Sequence, residues 1–358
     1  MGKHKVLLVS PLPPPYGGIA RWTEQIIAYL DKDKSVEYKH LDIAVRWRSV
    51  HANTWLRLVG GLFQLVANYL LFLWNMFTTV NVVHLTSSGG FGLVRDTLFC
   101  LTGKLFLKKF IIHIRFGRII SIFSKKNYEY YLLKFIFRFS DRIICIDANT
   151  YNFLNKNQYI SLKLNLIPNC ISYDFDDIFQ DERSNIISFV GWVKKEKGVA
   201  ELIASFINLK LDNWTLRIIG PLDNDFYASL DNKYDFLKYG NIHFLGDLPH
   251  ESVIQEMKQS KIFVLPSYTE GFPNVILEAM ATKNAIISTK VGAIPEMLAE
   301  QSGMLVDVAD QMQLQEALNY LSITPSLQMT LSNNAFHRCK MAYSIEHVVK
   351  QYIEIWES

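Results

Sequence analysis

The chain has 358 residues, of which 49% are hydrophobic, 20% charged and 13% aromatic, so it is long and apolar enough for two buried cores. This composition excludes a disordered, collagen-like or low-complexity protein. The four cysteines, Cys100, Cys145, Cys170 and Cys339, stand far apart without a Cys-x-x-Cys pair; they indicate neither a disulfide scaffold nor a zinc site and favour a reducing, cytoplasmic setting.

The net charge of +3 is distributed unevenly along the chain. Residues 1–180 contain 22 Lys and Arg against 12 Asp and Glu, whereas the remaining residues contain 15 against 22. The basic half also holds the long apolar runs and many aromatic residues, which favours an anionic membrane surface over nucleic acid, because no nucleic-acid-binding motif accompanies the charge. A solvated basic face over ordinary core aromatics explains the same pattern and remains the alternative.

Short apolar runs, typical of strands buried on both faces, alternate with helical stretches along the whole chain. The predicted strands are 6–9, 82–85, 110–114 and 143–146 in the first half, and 186–190, 216–219, 242–245, 262–265 and 285–288 in the second. In the second half, helices are predicted near 198–210, 225–238, 251–259, 274–282 and 311–322.

This alternation predicts an α/β protein of two doubly wound parallel-sheet domains, each Rossmann-like. The predicted boundaries are 1–171 for the first domain, 172–184 for a linker and 185–342 for the second. We expect a C-terminal helix at about 343–358 to pack back on the first domain. Ligands in such folds bind at the carboxyl ends of strands, so a cleft between the two domains is the expected site.

Residues 56–80 form an apolar stretch about as long as a transmembrane helix. The stretch is interrupted by Gly60, Gly61, Asn68 and Asn75. We therefore predict a long apolar helix that packs on a sheet and grazes a membrane, with a true membrane span as the alternative.

Two loops between a predicted strand and a helix are suited to an anionic ligand. Gly17 and Gly18 precede a helix, where backbone N–H groups approach a phosphate and the helix N-terminus favours negative charge. Loop 191–198 places Lys197 at a strand end, where a lysine acts as a point charge on phosphate. A solvated charged turn is the preferred interpretation of Lys194 and Lys195. The Gly-x-Gly-x-x-Gly and Walker spacings are absent, so no nicotinamide or P-loop site is indicated.

The segment 266–281 carries the most specific signal. Its Gly-Phe-Pro run leads from a strand into a helix that begins near Asn274, whose free N–H groups are available to an anionic ligand. Glu278 lies one turn into that helix, where a carboxylate accepts hydrogen bonds from vicinal hydroxyls such as those of a ribose. Glu270 stands before the helix and is suited to a second polyol. Under the alternative, these glutamates are a capping residue and a surface residue.

The segment 267–281 closely resembles the Glu-x7-Glu signature of the retaining glycosyltransferases of family 4, which have the GT-B fold. Four other segments match that family's motifs in order: 15–19 its N-terminal glycine loop, 167–169 its Ile-Pro-Asn-Gly, 196–198 its Glu-Lys-Gly, and 291–296 its Val-Gly-Gly-x-Pro-Glu. The resemblance covers nearly the whole chain. It implies a first domain that binds the acceptor and a second that binds a nucleotide-sugar donor.

The resemblance also implies roles for individual residues. Glu270 would hold the donor sugar and Glu278 the nucleotide ribose, while Lys197 and the backbone of Gly17 and Gly18 would hold the diphosphate. Backbone groups of the intervening loop would meet the nucleotide and the sugar; these residues are Gly271, Phe272, Pro273, Asn274 and Val275.

A histidine of the family's N-terminal domain contacts the donor, and His113 is the best match for it in this chain. Without the resemblance, a lone histidine at a strand end is more often structural. His84, inside an earlier predicted strand, is interpreted as structural.

Some positions depart from the family pattern. Trp192 stands where the family usually has an arginine, so one cation for the diphosphate is missing, and Lys194, Arg115 or Arg118 are candidates to replace it. Cys170 replaces the glycine of Ile-Pro-Asn-Gly and is interpreted as structural. The Asp-x-Asp sequences at 174–176 and 223–225 fall in a linker and a loop, so they do not support a metal-dependent GT-A enzyme.

The resemblance implies a retaining, metal-independent glycosyltransferase without a cofactor, in which the departing phosphate accepts the proton of the acceptor hydroxyl. The expected partners are a nucleotide-sugar donor, a glycan or lipid-linked acceptor and an anionic membrane surface, with no nucleic acid. The expected setting is the cytoplasmic face of the plasma membrane, in bacterial surface polysaccharide synthesis. The alternative is a non-catalytic sugar-nucleotide or membrane-binding protein with a degenerate site. A phosphorylase-type enzyme is less favoured, because no lysine is convincingly placed to anchor a pyridoxal cofactor.

Overall fold

The computed structural model describes residues 5–14, 17–45, 54–175 and 183–358. The chain divides into two compact units. Unit 1 comprises Met1–Cys170 and Ile345–Ser358, and unit 2 comprises Ile171–Ser344. The predicted linker 172–184 lies largely outside the described residues.

Unit 1 contains a six-stranded parallel sheet with the strand order β2-β1-β3-β4-β5-β6. The strands are β1 (Lys5–Ser10), β2 (Glu37–Asp42), β3 (Val82–Ser87), β4 (Lys109–Ile114), β5 (Arg142–Cys145) and β6 (Leu164–Leu166). The helices are α1 (Gly18–Asp33), α2 (Thr54–Met76), α3 (Gly92–Leu105), α4 (Ile119–Lys125), α5 (Tyr128–Phe139), α6 (Ala148–Asn155), α7 (Gln158–Ser161) and, at the end of the chain, α15 (Ile345–Glu357).

The sheet of unit 1 is buried on both faces because its side chains alternate between two apolar clusters. Leu7 and Val9 belong to the cluster that also holds side chains of α2, α3 and α5. Val6 and Leu8 belong to the other cluster, formed with α1 and α15. The last helix of the chain therefore completes the core of the first unit.

The apolar stretch 56–80 forms α2 and the turn after it. Asn68, Phe72 and Met76, spaced four residues apart, are the buried positions of this helix between residues 63 and 76. Among the helices of the described chain, none is both long enough and apolar enough to cross a membrane.

Unit 2 contains a second six-stranded parallel sheet, with the order β12-β11-β10-β7-β8-β9. The strands are β7 (Ser184–Val190), β8 (Thr215–Ile219), β9 (Ile242–Gly246), β10 (Ser260–Leu265), β11 (Ala285–Thr289) and β12 (Met304–Val306). The helices are α8 (Val199–Asn208), α9 (Asn224–Tyr234), α10 (His250–Gln259), α11 (Asn274–Ala281), α12 (Ile294–Met297), α13 (Gln311–Ile323) and α14 (Pro325–Arg338).

The order of the strands reverses once in each sheet. In unit 2, β7 and β10 are adjacent. The strand that follows β7 in the chain, β8, lies on one side of this pair, and the strand that follows β10, β11, lies on the other side. The loops 191–198 and 266–273 therefore leave neighbouring strands at the same edge and diverge, which opens a crevice between them. The equivalent reversal in unit 1 lies between β1 and β3.

Candidate functional site

Lys197 and Glu270 meet at the strand-order reversal of unit 2. The Lys197 Nζ lies 2.5 Å from the Glu270 Oε1, although the two residues are 73 positions apart. Their side chains are 22% and 13% exposed, so the pair is shielded from solvent but reachable. Glu270 is thus neither a capping residue nor a freely solvated surface residue. A shielded charge pair at this edge of a doubly wound sheet is suited to an anionic, hydroxyl-bearing ligand.

A glycine holds the turn that carries Lys197 against the end of β10. Gly198 has a φ of +68°, and a Cβ built on it would lie 2.1 Å from the carbonyl oxygen of Pro266. The Tyr268 N–H donates to the carbonyl oxygen of Glu196 over 2.9 Å, which joins the same two loops from the other side. The backbone at Lys197 is therefore held by the loop after β10, and its amine is held by the pair with Glu270.

A second glycine braces the loop that carries Glu270. Gly292 has a φ of +56°, and a Cβ there would lie 2.3 Å from the carbonyl oxygen of Glu270. The neighbouring Ala293 N–H donates to the carbonyl oxygen of Gly271 over 2.8 Å. The sequence motifs give Gly292 no role of its own, because its role depends on the close approach of its backbone to that of Glu270, which exists only in the folded protein.

Helix α11 begins at Asn274 as the sequence predicts, and Pro273 at its N-cap makes no side-chain capping bond. The first N–H groups of this helix therefore receive no side-chain cap from that position. Phe272 is buried, with its ring centroid 6.0 Å from that of Tyr343, and this contact fixes the loop ahead of the helix.

Glu278 is 6% exposed on α11, which is unusual for a carboxylate. The Nε2 of His250, the first residue of α10, lies 3.4 Å from the Glu278 Oε1. His250 belongs to none of the sequence motifs described above. The available signal was its position after β9, whose carboxyl end shares the sheet edge with β7 and β10.

The predicted glycine loop of unit 1 places Gly17 and Gly18 at the start of α1. Gly18 is the first helical residue, and Gly17, in extended conformation, is the N-cap. A Cβ built on Gly17 would meet no atom of the described residues within 4 Å, so the described part of the chain leaves this helix end open. Residues 15 and 16 of the same motif lie outside the described residues.

His113 lies near the end of β4 and is fully buried within an aromatic cluster. Its ring centroid is 5.2 Å from that of Trp22 and 5.6 Å from that of Tyr352. Its Nδ1 lies 3.1 Å from the Nε2 of His84, so the two histidines form a pair. The role of His113 in donor contact stays a prediction, and the structure adds that the imidazole has no solvent-exposed surface.

The protonation of this pair follows from its hydrogen bonds. The Trp356 Nε1–H donates to the His84 Nδ1 over 2.9 Å, and an indole N–H only donates. The proton of a neutral His84 therefore sits on Nε2, which donates to the Nδ1 of His113. Burial, reinforced by the Arg115 guanidinium, lowers the pKa of His84 to about 3 and places the pKa of His113 well below 6.5. Both imidazoles are neutral in the folded protein.

We expect the free energy of unfolding to fall as the pH drops below the ordinary histidine pKa of 6.5. In this pH range the two histidines bind protons in the unfolded chain, whereas the buried imidazoles of the folded protein do not. Each histidine therefore lowers the free energy of unfolding by up to about 1.4 kcal/mol per pH unit. Above the ordinary histidine pKa, the stabilisation that comes from keeping both imidazoles neutral is fully present. Urea unfolding at about pH 7 and about pH 5 measures the effect. His84→Gln/His113→Gln should flatten this dependence, and an unchanged slope would contradict the assignment.

The three cations proposed to replace the family's arginine all have protein partners. The Lys194 Nζ lies 5.2 Å from the ring centroid of the exposed Trp192, and the Arg118 Nη1 pairs with a Glu129 oxygen at 2.9 Å. Arg115 is 8% exposed and donates to the Asn169 Oδ1 over 2.7 Å. Lys194 keeps the loop after β7 cationic, since it lies on the same turn as Lys197.

The Asp-x-Asp sequence at 223–225 has a structural explanation. The Asp223 side chain accepts a hydrogen bond from the Phe226 N–H over 3.0 Å and caps α9. The other sequence, 174–176, lies partly outside the described residues. Within the described ranges, no group of three or more His, Cys, Asp or Glu side chains is arranged to hold a metal ion.

Comparison with known proteins finds a family model that matches most of unit 2. Residues 173–338 match the model of the family described as "Glycosyl transferases group 1". This segment contains both members of the Lys197–Glu270 pair, together with Glu278.

Curated relatives are glycosyltransferases by name. The chain is 27% identical over 205 residues, 57% of its length, to an uncharacterized glycosyltransferase of Methanocaldococcus jannaschii. It is 32% identical over 169 residues, 44% of its length, to the capsular polysaccharide biosynthesis glycosyltransferase CapM of Staphylococcus aureus. The matches cover 56% and 42% of those proteins, so the chain spans about half the length of the curated relatives it matches.

Solved structures share the fold over the whole chain. Sucrose-phosphate synthase from Thermosynechococcus elongatus has a TM-score of 0.74 at 17% identity, with 99% of this chain and 98% of that chain covered. Anabaena HepE in complex with UDP and glucose has a TM-score of 0.73 at 14% identity, with 99% of each chain covered. The two parallel-sheet units thus have the GT-B fold expected from the sequence.

Proposed function

We propose that this chain, whose residues 173–338 match the glycosyl transferases group 1 family, is a glycosyltransferase that moves a sugar from a nucleotide-diphosphate donor to a glycan or lipid-linked acceptor. The reaction is retaining and needs no metal or cofactor. It takes place at the cytoplasmic face of the membrane, in the synthesis of a bacterial surface polysaccharide.

The Lys197–Glu270 pair carries this proposal. A nucleotide sugar combines two phosphates with a polyol, and the crevice offers an ammonium and a carboxylate within 2.5 Å of each other. When the donor binds, the Lys197 amine contacts the diphosphate from the position that it already holds, and the Glu270 carboxylate accepts hydrogen bonds from the sugar hydroxyls. Glu278 accepts from the ribose hydroxyls one turn into α11. The relative named as a capsular polysaccharide biosynthesis glycosyltransferase supports a glycan acceptor.

The chemistry follows from where charge develops. The bond between the anomeric carbon and the donor phosphate oxygen breaks, and negative charge accumulates on the leaving diphosphate. The acceptor oxygen attacks the same face of the sugar and forms the new bond, while its proton passes to the departing phosphate. Lys197 and the positive N-terminal end of α11 stabilise that phosphate without reorganising, which is how fixed donors accelerate such a step.

Glu278→Ala is expected to weaken binding of the donor nucleotide at least about tenfold, because a buried carboxylate that accepts ribose hydroxyls is lost. Isothermal titration with the nucleoside diphosphate of the active donor measures the effect. Glu316→Ala, which removes an exposed glutamate from α13, is the control and should bind like the parent. Equal affinity of the parent and Glu278→Ala would refute the ribose-binding role.

A panel of nucleotide sugars tests the proposed function itself. The donor that fits is expected to raise the apparent stability by mass action and to be consumed with release of nucleoside diphosphate. Turnover that persists after treatment with EDTA supports metal independence. One observation supports the alternative of a non-catalytic binding protein: Trp192, which is exposed, stands where the resembling family usually has an arginine. Donor binding with neither hydrolysis nor transfer would establish that alternative.

A further inference from the structure

Helix α2 exposes an apolar stripe on the side opposite its buried side. Phe63, Val66, Leu70, Trp74 and Phe77 follow one another at intervals of three or four residues, so they lie on one face of the helix and its final turn. All five are exposed, including Phe63 at 69% and Trp74 at 72%. A helix on the surface of a water-soluble unit normally carries charge on this face, yet residues 60–80 contain no charged residue.

The neighbouring helix α3 extends this apolar surface. Its exposed side chains Val94, Leu98, Leu101 and Leu105 recur with the same helical spacing. The two helices are held together by Phe72, whose ring stacks on that of Phe99 with centroids 4.2 Å apart. We call the exposed stripes of α2 and α3 the apolar face. A face of at least nine large apolar side chains on adjacent helices marks an interaction surface.

The charge beside the apolar face is predominantly positive, although the Asp141 carboxylate pairs with Lys104 of α3. Residues 81–140 contain ten Lys and Arg but only two carboxylates, Asp96 and Glu129. Asp96 is fully buried and paired with Arg95, and Glu129 is 5% exposed and paired with Arg118. Over these residues, all of them described, both carboxylates are buried, whereas Lys125, Lys126, Lys134 and Arg138 are exposed. An occupant that is both apolar and anionic fits this combination.

We propose that the apolar face of α2 and α3 docks on an anionic lipid bilayer, with Trp74 and its neighbours in the headgroup–acyl boundary and the surrounding lysines on the lipid phosphates. Apolar rings with flanking cations match that boundary. A second copy of the chain would bring two surfaces of the same positive sign together, which disfavours a dimer. The inference deepens the proposed function, since it names the surface that would bring unit 1 to a lipid-linked acceptor.

Vesicle co-sedimentation without any nucleotide sugar tests the docking separately from the transfer activity. The parent should bind vesicles with about 30% phosphatidylglycerol at least about tenfold more tightly than phosphatidylcholine vesicles. Leu70→Glu/Trp74→Glu should lose about tenfold or more of that binding, and Lys134→Gln/Arg138→Gln should weaken it and reduce its salt dependence. Met312→Glu/Tyr320→Glu, which changes exposed apolar residues of α13 in unit 2, is the matched control and should bind like the parent.

The outcomes separate the two proposals. Loss of vesicle binding in Leu70→Glu/Trp74→Glu, with an unchanged melting temperature and unchanged donor hydrolysis, supports docking through the apolar face. Equal binding by this variant and the parent overturns it, as does equal binding of the parent to both kinds of vesicle. A parent dimer in sedimentation equilibrium that Leu70→Glu/Trp74→Glu dissolves, without vesicle binding, overturns it in favour of a second copy. Vesicle binding by a protein that turns over no donor refutes the proposed function and leaves the docking intact.

Discussion

Lys197→Ala is expected to lower kcat for sugar transfer by about 10²–10³-fold while leaving the fold intact, because one fixed donor to a developing phosphate charge is removed. The Lys197 Nζ is held 2.5 Å from Glu270 by a turn whose own backbone is anchored to β10. The amine is therefore placed before the donor arrives and gains most in the transition state, when charge on the leaving phosphate is greatest. Steady-state kinetics with the active donor measure the change, and the loss should appear in kcat more than in acceptor KM.

Lys195→Ala is the matched control for this experiment. Lys195 lies two positions earlier in the same turn, but its side chain is exposed. Its removal should change kcat less than about threefold, since a solvated lysine contributes little at a distance. If both variants turned over like the parent, Lys197 would have no part in catalysis. If both lost activity equally, the effect would reflect the charge of the whole turn rather than one positioned amine.

Gly198→Ala is expected to reduce the free energy of unfolding of unit 2 by about 2–5 kcal/mol. Gly198 adopts a left-handed conformation that costs an alanine energy, and the added Cβ would lie 2.1 Å from the carbonyl oxygen of Pro266. The chain must shift to relieve this contact, and the turn that carries Lys197 shifts with it. Stability and kcat should therefore fall together, as measured by urea unfolding and by donor turnover.

Gly240→Ala distinguishes this strain from a general effect of glycine replacement. A Cβ on Gly240 meets no atom within 4 Å in the part of the chain that the structure describes, and the φ of Gly240 lies outside the left-handed region. The free energy of unfolding of the Gly240→Ala variant should stay within about 0.5 kcal/mol of that of the parent. Parent-like stability of Gly198→Ala would show that the two loops are not locked together as the structure indicates.

The sequence predicted the buried parts of the fold well, because a strand such as β10 is apolar on both faces. The strands it missed are short or polar. β2 reads Glu-Tyr-Lys-His-Leu-Asp and has several exposed positions, yet it pairs with β1 along its full length. β6 and β12 have three residues each and end their sheets. Edge strands need little apolar character, so hydrophobic runs do not reveal them.

The candidate site was predictable to a similar degree. Glu270, Glu278 and Lys197 could be found because loop–helix junctions at strand ends are recognisable in the sequence. The contacts of Gly292 and His250 could not, since each depends on elements that meet only in the folded sheet. His113 was treated as a lone histidine, whereas the structure pairs it with His84, which in turn accepts from Trp356, 272 residues away. Such long-range partners leave no local pattern.

The uneven charge now has a structural setting. Part of the basic excess of the first half lies on α5, which packs against α3 beside the apolar face, and both carboxylates of residues 81–140 are buried. The lysines of the second half that matter for the proposal lie on one turn after β7. The net charge of the whole chain indicates neither the basic residues near the apolar face nor the lysines on the turn after β7.

The central claim, that the crevice at Lys197 and Glu270 transfers a sugar with retention, is tested most directly by following the reaction with its best donor by ¹H NMR. The claim predicts that the parent releases nucleoside diphosphate and forms a glycoside with the anomeric configuration of the donor, and that Lys197→Ala forms it about 10²–10³-fold more slowly. An inverted product, or a Lys197→Ala rate equal to that of the parent, would contradict it.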